Sequence, residues 1–389
     1  MKVVFIHTDF RIYWPARLRA LSCFLESKQI SLSVVEIAGA GSPYAFAQEN
    51  NENKNWYILF PDRKMEELGN REIKHAVDNI LNNLNPDVVI AGAIAFPSGA
   101  LSTAWVKRYG KKIIIFDDAK IADVPRGKMT TFIKQRIYKC VDAMLYPSED
   151  WMETGLYWQF EREQLFYGVD VVDNKFWKVD DVYREKENYF VSVGRVISEK
   201  NFKFLIESFS QWSDNSKYRL LIVGDGPEKD SLKQICVEKT LSNVQFLPFL
   251  SQEELRNVYK RAQGFILASS RETWGLVINE AMACGLPVIV SSRCGATKTL
   301  VQNGVNGFVF DPYCRESLVN ALALFSRLTK EEQEEMGNQS SKLIQKWGLD
   351  RFVSGCFDAI CYVVRNRSRK ISIIEKIILA LWKGRYRPI

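Results

Sequence analysis

Histidine is almost missing from this chain. Its 389 residues include two, His7 and His75, and the eight cysteines stand apart without a C-x-x-C pair. These scarcities leave no His/Cys cluster for zinc or a redox metal and no disulfide framework, so reduced thiols in a cytoplasmic protein are expected. No run of eighteen apolar residues occurs, so a spanning helix is not expected. The opening MKVVFIHTDFRIYWPAR passes from a short apolar burst straight into charge, unlike a secretory leader. Internal repeats and low-complexity tracts are lacking as well. So is a basic body: the net charge of +7 is carried entirely by residues 365–389, where eight Lys and Arg face one carboxylate, Glu375. A nucleic-acid-binding face on the body is therefore not expected.

What is present is a soluble composition, 47% hydrophobic and 25% charged, in a chain long enough for two domains. Apolar, β-rich runs alternate with helical patterns: KVVFIH, SLSVVEI, WYILF, DVVIAGAI, KKIIIF, AMLYP and QLFYGV in the first half, then YFVSVGRV, YRLLIVGDG, VQFLPFL, GFILAS, PVIVSS and GFVFDP. Helical spacing marks 17–28, 66–84 and 131–141. Continuous apolar strands separated by helices predict parallel sheets covered on both faces. The pattern restarts near Tyr189, which predicts two doubly wound α/β domains (1–178 and 188–345) with a polar join at 179–188. In such sheets ligands bind at the carboxyl ends of strands.

The densest chemistry lies in SSRETWGLVINEAMACGLPVIVSS. Glu272 and Glu280 are eight residues apart around Gly275, so Glu272 belongs to the loop and Glu280 to the helix that follows. The amides of Thr273, Trp274, Gly275, Leu276 and Val277 fall at a strand-to-helix turn, where bare N–H groups and the helix dipole favour an anion. Upstream, YFVSVGRVISEKN sets Gly194, Arg195 and Lys200 at another strand end, two cations suited to a diphosphate or, alternatively, a surface pair with Glu199. LLIVGDGP places Gly224 and Gly226 in a tight turn that could equally be a plain connector. Ser251 with Glu254 fits a capping box. A loop acid, open amides and a helix acid suit a ligand with hydroxyls at both ends and phosphate between, such as a nucleotide sugar.

In this order the motifs resemble the retaining family 4 glycosyltransferases (glycosyl transferases group 1), over about residues 188–345. The family's usual Glu-x-Phe-Gly carries Trp274 here, expected to keep an aromatic wall. The resemblance implies the GT-B architecture, two Rossmann-like domains facing a cleft. It further implies that Glu280 holds the ribose hydroxyls, Glu272 the donor sugar, the 274–277 amides sugar and diphosphate, and Arg195 and Lys200 the phosphates. No metal cofactor is implied at the diphosphate.

The first domain matches less closely. VVFIHTDFRIYWPARL lacks the glycines common after the family's first strand. IIIFDDAKIADVPR offers Asp117, Asp118, Asp123 and Arg126 where many members have a histidine. Asp118 is carried as the acceptor-side residue beside the alternative that Asp117-Asp118 caps a turn. His7, at the end of the first strand, is either functional or a satisfied core-edge histidine. YGVDVVDNKFW resembles the family's Asn-Gly-Val-Asp region. WGLDRFVSGCFDAICYVV, within 346–364, matches the helix that crosses back to the first domain. Beyond it, 365–389 places Ile371, Ile374, Ile378 and Leu381 on one stripe among Lys and Arg. That pattern suits an anionic membrane surface or, alternatively, a helix packed on the first domain.

The expectation is a cytoplasmic, metal-independent, retaining glycosyltransferase, peripheral at the membrane through its tail. It would move a sugar from a nucleoside-diphosphate sugar to a hydroxyl of a glycan or lipid-linked acceptor. The rivals are a hydrolase or phosphorylase on the same fold and a noncatalytic nucleotide-sugar-binding scaffold.

Overall fold

The computed structural model describes residues 1–40, 55–123, 126–179 and 186–385. Two compact units emerge: 1–171 with 349–389, and 172–348. The division falls at Val171/Val172, ahead of the expected join at 179–188, most of which lies outside the described residues. The short helix at Asn174–Trp177 explains the difference. Trp177 is buried, and its carbonyl accepts from the Cys284 thiol at 3.1 Å, which ties it to the second unit.

In unit 1 the strands are β1 (Lys2–His7), β2 (Ser31–Ala40), β3 (Trp56–Lys64), β4 (Val88–Ala91), β5 (Lys112–Phe116), β6 (Ala143–Tyr146) and β7 (Leu165–Tyr167). Its helices before the division are α1 (Trp14–Ser27), α2 (Asn70–Leu84), α3 (Pro97–Tyr109), α4 (Lys128–Tyr138) and α5 (Met152–Tyr157). In unit 2 the strands are β8 (Tyr189–Val193), β9 (Arg219–Val223), β10 (Val244–Leu247), β11 (Gly264–Leu267), β12 (Val288–Ser291) and β13 (Gly307–Phe310). Its helices are α6 (Asn174–Trp177), α7 (Phe202–Gln211), α8 (Lys229–Glu238), α9 (Gln252–Arg261), α10 (Leu276–Ala283), α11 (Thr297–Leu300), α12 (Arg315–Ser326) and α13 (Lys330–Ile344). The chain then returns to unit 1 with α14 (Leu349–Arg365) and α15 (Ile373–Leu381).

All the paired strands of both sheets run parallel, in the orders β3-β2-β1-β4-β5-β6-β7 and β10-β9-β8-β11-β12-β13. Each is doubly wound, so the strand order reverses at β1/β4 and at β8/β11, where a crevice opens at the strands' carboxyl ends. The apolar runs become strands because both faces are covered. Val88–Ala91 and Val288–Ser291 are buried at every position, which a continuous Val/Ile run satisfies and an alternating strand would not. Helix α3 has no sequence counterpart among the expected elements. PSGALSTAWVKRY has nine of its thirteen residues buried, so no polar face gives it a helical stripe.

The α9 cap forms as expected. Glu254 N donates to Ser251 Oγ at 3.3 Å, and Ser251 N donates to Glu254 Oε2 at 2.8 Å. Ser251→Ala is expected to cost about 1 kcal/mol, read as a lower urea midpoint at unchanged slope.

Candidate active site

Unit 2 brings its motifs together at the β8/β11 switch point. The loop after β8 carries Gly194, Arg195 and Lys200, and the loop after β11 carries Glu272 to Gly275. Backbone bonds lock the two loops: Ser270 N donates to Glu199 O at 2.8 Å, while Arg271 pairs with Glu199 at 3.4 Å. Lys200 Nζ and Glu272 form an ion pair with both side chains about 85% buried. Ser269 Oγ donates to the same Glu272 oxygen at 3.2 Å. Sequence reasoning separated these two residues into a phosphate cation and a sugar carboxylate. The structure makes them one unit, and it leaves the Glu199 side chain to Arg271 rather than to Lys200.

The floor is made by backbone. Gly224 has φ +146°, and a Cβ there would lie 1.9 Å from Gly194 O, so the two loops approach as closely as backbone allows. At the other wall Gly275 has φ +101° and is the residue before α10. Ile278 N donates to Gly275 O at 2.9 Å, and the N–H groups of Leu276 and Val277 precede any helical carbonyl that could accept them. Gly295 N donates to Glu272 O at 2.9 Å and Ala296 N to Trp274 O at 3.0 Å, which fixes the loop from the opposite side. Thr273, Leu276 and Val277 remain partly exposed.

The side chains of Trp274 and Glu280 are both buried. Trp274 does not wall the site: it is 2% exposed, donates from Nε1 to Asn279 Oδ1 at 2.9 Å and packs on Trp347 at 5.8 Å. An indole is large and needs a partner for its N–H, and the core supplies both. Glu280 is on α10 as expected but is 2% exposed, with Tyr259 OH donating to Oε2 at 3.0 Å. Tyr259 and Ser269 were the residues that sequence reasoning missed: Tyr259 stands outside the motifs, and Ser269 opens the SSRETWG stretch but was given no role there.

In unit 1 the β1/β4 switch point holds His7 and, two strands along at the end of β5, Asp117 and Asp118. His7 packs among Phe10, Phe96 and Phe116, with Nδ1 3.3 Å from Ser98 Oγ. Burial lowers its pKa from 6.5 to about 4. The unfolded chain thus takes up this proton near pH 6.5 and the folded chain only near 4, so stability falls as pH drops through that window. His7→Gln should reduce the difference between denaturation midpoints at pH 5 and pH 7; an unchanged difference would reject the assignment.

Asp117 serves the turn. Its Oδ1 accepts from Ala119 N at 3.0 Å and its Oδ2 from Tyr138 OH at 3.3 Å, and burial, with Asp118 beside it, raises its pKa to about 6. Asp118 stays partly exposed, and its carbonyl accepts from Trp151 Nε1 at 3.0 Å. Asp123 caps Lys120 N at 2.8 Å, and Arg126 donates to Ile121 O at 3.0 Å. Two further groups join this cluster. Arg17, 1% exposed on α1, donates to Val171 O from Nε at 2.8 Å and Nη2 at 2.6 Å and lies 3.8 Å from Asp170. Burial, then Asp118, pushes the Asp170 pKa up to about 7 against the pull of Arg17. Asp170 was within a noted motif; Arg17, far away in sequence, carried no signal.

Where glycines were lacking, after β1, side chains hold the loop. Phe10 N donates to Glu36 Oε2 at 3.1 Å and Arg11 bonds Gly39 O. Among the described residues, no group of three or more His, Cys, Asp or Glu side chains is placed to hold a metal ion, and no helix is long and apolar enough to cross a membrane.

Residues 173–343 match the model of the family described as glycosyl transferases group 1. The second unit thus carries the module that this family model describes. It is 25% identical over 296 residues to the sulfoquinovosyl transferase of Arabidopsis thaliana, covering 71% of this chain and 55% of that protein. It is 33% identical over 141 residues to an alpha-monoglucosyldiacylglycerol synthase of Acholeplasma laidlawii, covering 36% of this chain and 35% of that protein. The chain thus spans about half or less of these curated relatives. An Anabaena protein solved in complex with UDP and glucose shares the fold, with a TM-score of 0.73 at 16% identity over 93% of this chain and 99% of that one. The fold is that of GT-B glycosyltransferases.

Proposed function

We propose that this protein is a group 1 glycosyltransferase that transfers a sugar from a nucleoside-diphosphate sugar to a hydroxyl, with retention of anomeric configuration and without a metal cofactor. The observation that carries the reading is the Lys200–Glu272 pair beside the open N-terminus of α10. A cation, a carboxylate and the first turn of α10 converge there at a switch point. Arg195, Lys200 and the amides of 274–277 receive the diphosphate, Glu272 binds the donor sugar, and Glu280, oriented by Tyr259, takes the ribose hydroxyls. Gly194 and Gly224 let the backbone come close to the nucleotide.

The chemistry follows from this electrostatic setting. As the sugar–phosphate bond breaks, negative charge builds on the leaving diphosphate, and fixed cations and N–H dipoles stabilise it. The acceptor hydroxyl attacks on the face that the diphosphate leaves, and the departing phosphate oxygen takes its proton. No side-chain nucleophile is needed. Asp118 serves the acceptor side, within the Asp117–Asp118–Asp170–Arg17 cluster of unit 1. His7 contributes a neutral imidazole at the same strand ends.

The relative named as an alpha-monoglucosyldiacylglycerol synthase favours a lipid-linked acceptor, and the basic tail favours a peripheral position on an anionic membrane. NMR of the first transfer product tests the mechanism: the reading expects the donor's anomeric configuration in the product, formed equally in EDTA and in magnesium. An inverted product would reject it.

A further inference from the structure

Helix α15 is amphipathic in the unusual sense. A water-facing helix turns polar side chains outward, yet α15 buries its single carboxylate. Glu375 is 0% exposed and accepts from Arg136 of α4 at 3.0 Å and from Ser372 N at 2.7 Å. Leu379 lies on the same inward side, and Trp382 Nε1 donates to Ile94 O at 2.7 Å. A nine-residue helix is not stable alone, so these contacts hold it on unit 1. What it presents to solvent is Ile373, Ile374, Ile377 and Leu381, each between 51% and 76% exposed. The stripe expected from sequence, with Ile371 and Ile378, is therefore rotated: the buried glutamate sets which side faces in.

Helix α4, joined to α15 by the Arg136–Glu375 pair, adds Met129 and Phe132, exposed at 72% and 46%. Segments 128–139 and 369–385 hold nine Lys and Arg, and their one acidic residue is the buried Glu375. Arg136 is paired with Glu375, Arg369 with Glu161, and Lys134 faces Asp117, which leaves six cations and no exposed carboxylate in these segments, a charge that matches anionic headgroups over acyl chains.

We infer that α4 and α15 together form a preformed docking face for an anionic lipid bilayer, and that the acceptor hydroxyl is borne by a lipid in it. The second clause rests on the transferase reading and on α4 itself. Tyr138, on another side of α4, donates to Asp117 of the acceptor-side loop, so one helix, about 10–12 Å across with its side chains, separates bilayer from carboxylates.

The test is cosedimentation of the full chain, without nucleotide, with phosphatidylcholine vesicles and with vesicles containing phosphatidylglycerol. Binding only to the anionic vesicles is expected. The tail-intact double variant Met129→Ser/Phe132→Ser and, separately, Ile373→Ser/Ile377→Ser should each lower the partition coefficient at least tenfold, with circular dichroism unchanged. Lys376→Ala should lower it about fivefold. Wild-type binding by either double variant overturns the composite face. So does equal binding to neutral vesicles, or a wild-type dimer in sedimentation velocity that the double variants convert to monomer. Transfer to acceptor lipid in vesicles should fall in parallel with binding, while hydrolysis of donor in solution stays at the wild-type rate; a parallel fall in hydrolysis would reject the lipid acceptor. Because vesicle binding is read without nucleotide, its failure leaves the donor site standing.

Discussion

Lys200→Ala should weaken binding of the cognate nucleoside diphosphate by about 10- to 150-fold, the range set by one charge-assisted bond of about 1.5–3 kcal/mol. The ammonium is held ready by Glu272 and is largely buried, so a bound diphosphate gains from it without first ordering a flexible chain. Loss of the amine also leaves the Glu272 carboxylate without its cation next to the phosphates, which adds repulsion to the loss. Glu272→Gln is the informative partner. It removes the competing carboxylate and leaves Lys200 available, so nucleotide affinity should be kept or improved while kcat falls through the lost sugar contact. Calorimetry on both variants separates the roles: equal loss of affinity in the two would mean the pair acts only as structure.

Gly224→Ala should be among the most damaging methyl additions in unit 2. The new Cβ would stand 1.9 Å from the Gly194 carbonyl oxygen, and φ +146° is a conformation that L residues rarely adopt. The contact is backbone to backbone, so no rotamer change relieves it. Either the turn after β9 or the loop carrying Arg195 and Lys200 must move. We expect a stability loss of about 3 kcal/mol or more, or a fall of about 6–12 °C in melting temperature, together with loss of nucleotide binding. Gly127→Ala in unit 1, where nothing lies within 4 Å of the added methyl, is the control and should change neither.

The sheets were legible because central parallel strands are buried on both faces and so read as unbroken apolar runs, as in β4, β6, β8, β11 and β12; the edge strands β3 and β10 are partly exposed and mix apolar with polar residues. The donor-site order was legible because its residues follow strand ends, and a doubly wound sheet gathers strand ends at the switch point. Partnerships were not. The Lys200–Glu272 pair joins residues 72 positions apart, and Arg17 meets Val171 across 154. Single residues carry no sign of such pairings. Trp274 shows a related limit, since a motif position says that an aromatic is wanted but not whether its ring faces ligand or core. The tail was misphased for the opposite reason: an apolar-stripe reading takes Glu375 as the wet side, and Arg136 makes it the dry one.

The most direct test of the donor site is isothermal titration of the full chain with UDP, GDP and ADP, in magnesium and in EDTA. The account predicts one-to-one binding of one of these nucleotides with the same affinity in both buffers, abolished or strongly weakened by Lys200→Ala. Absence of binding by all three, or binding that appears only with magnesium, would contradict it.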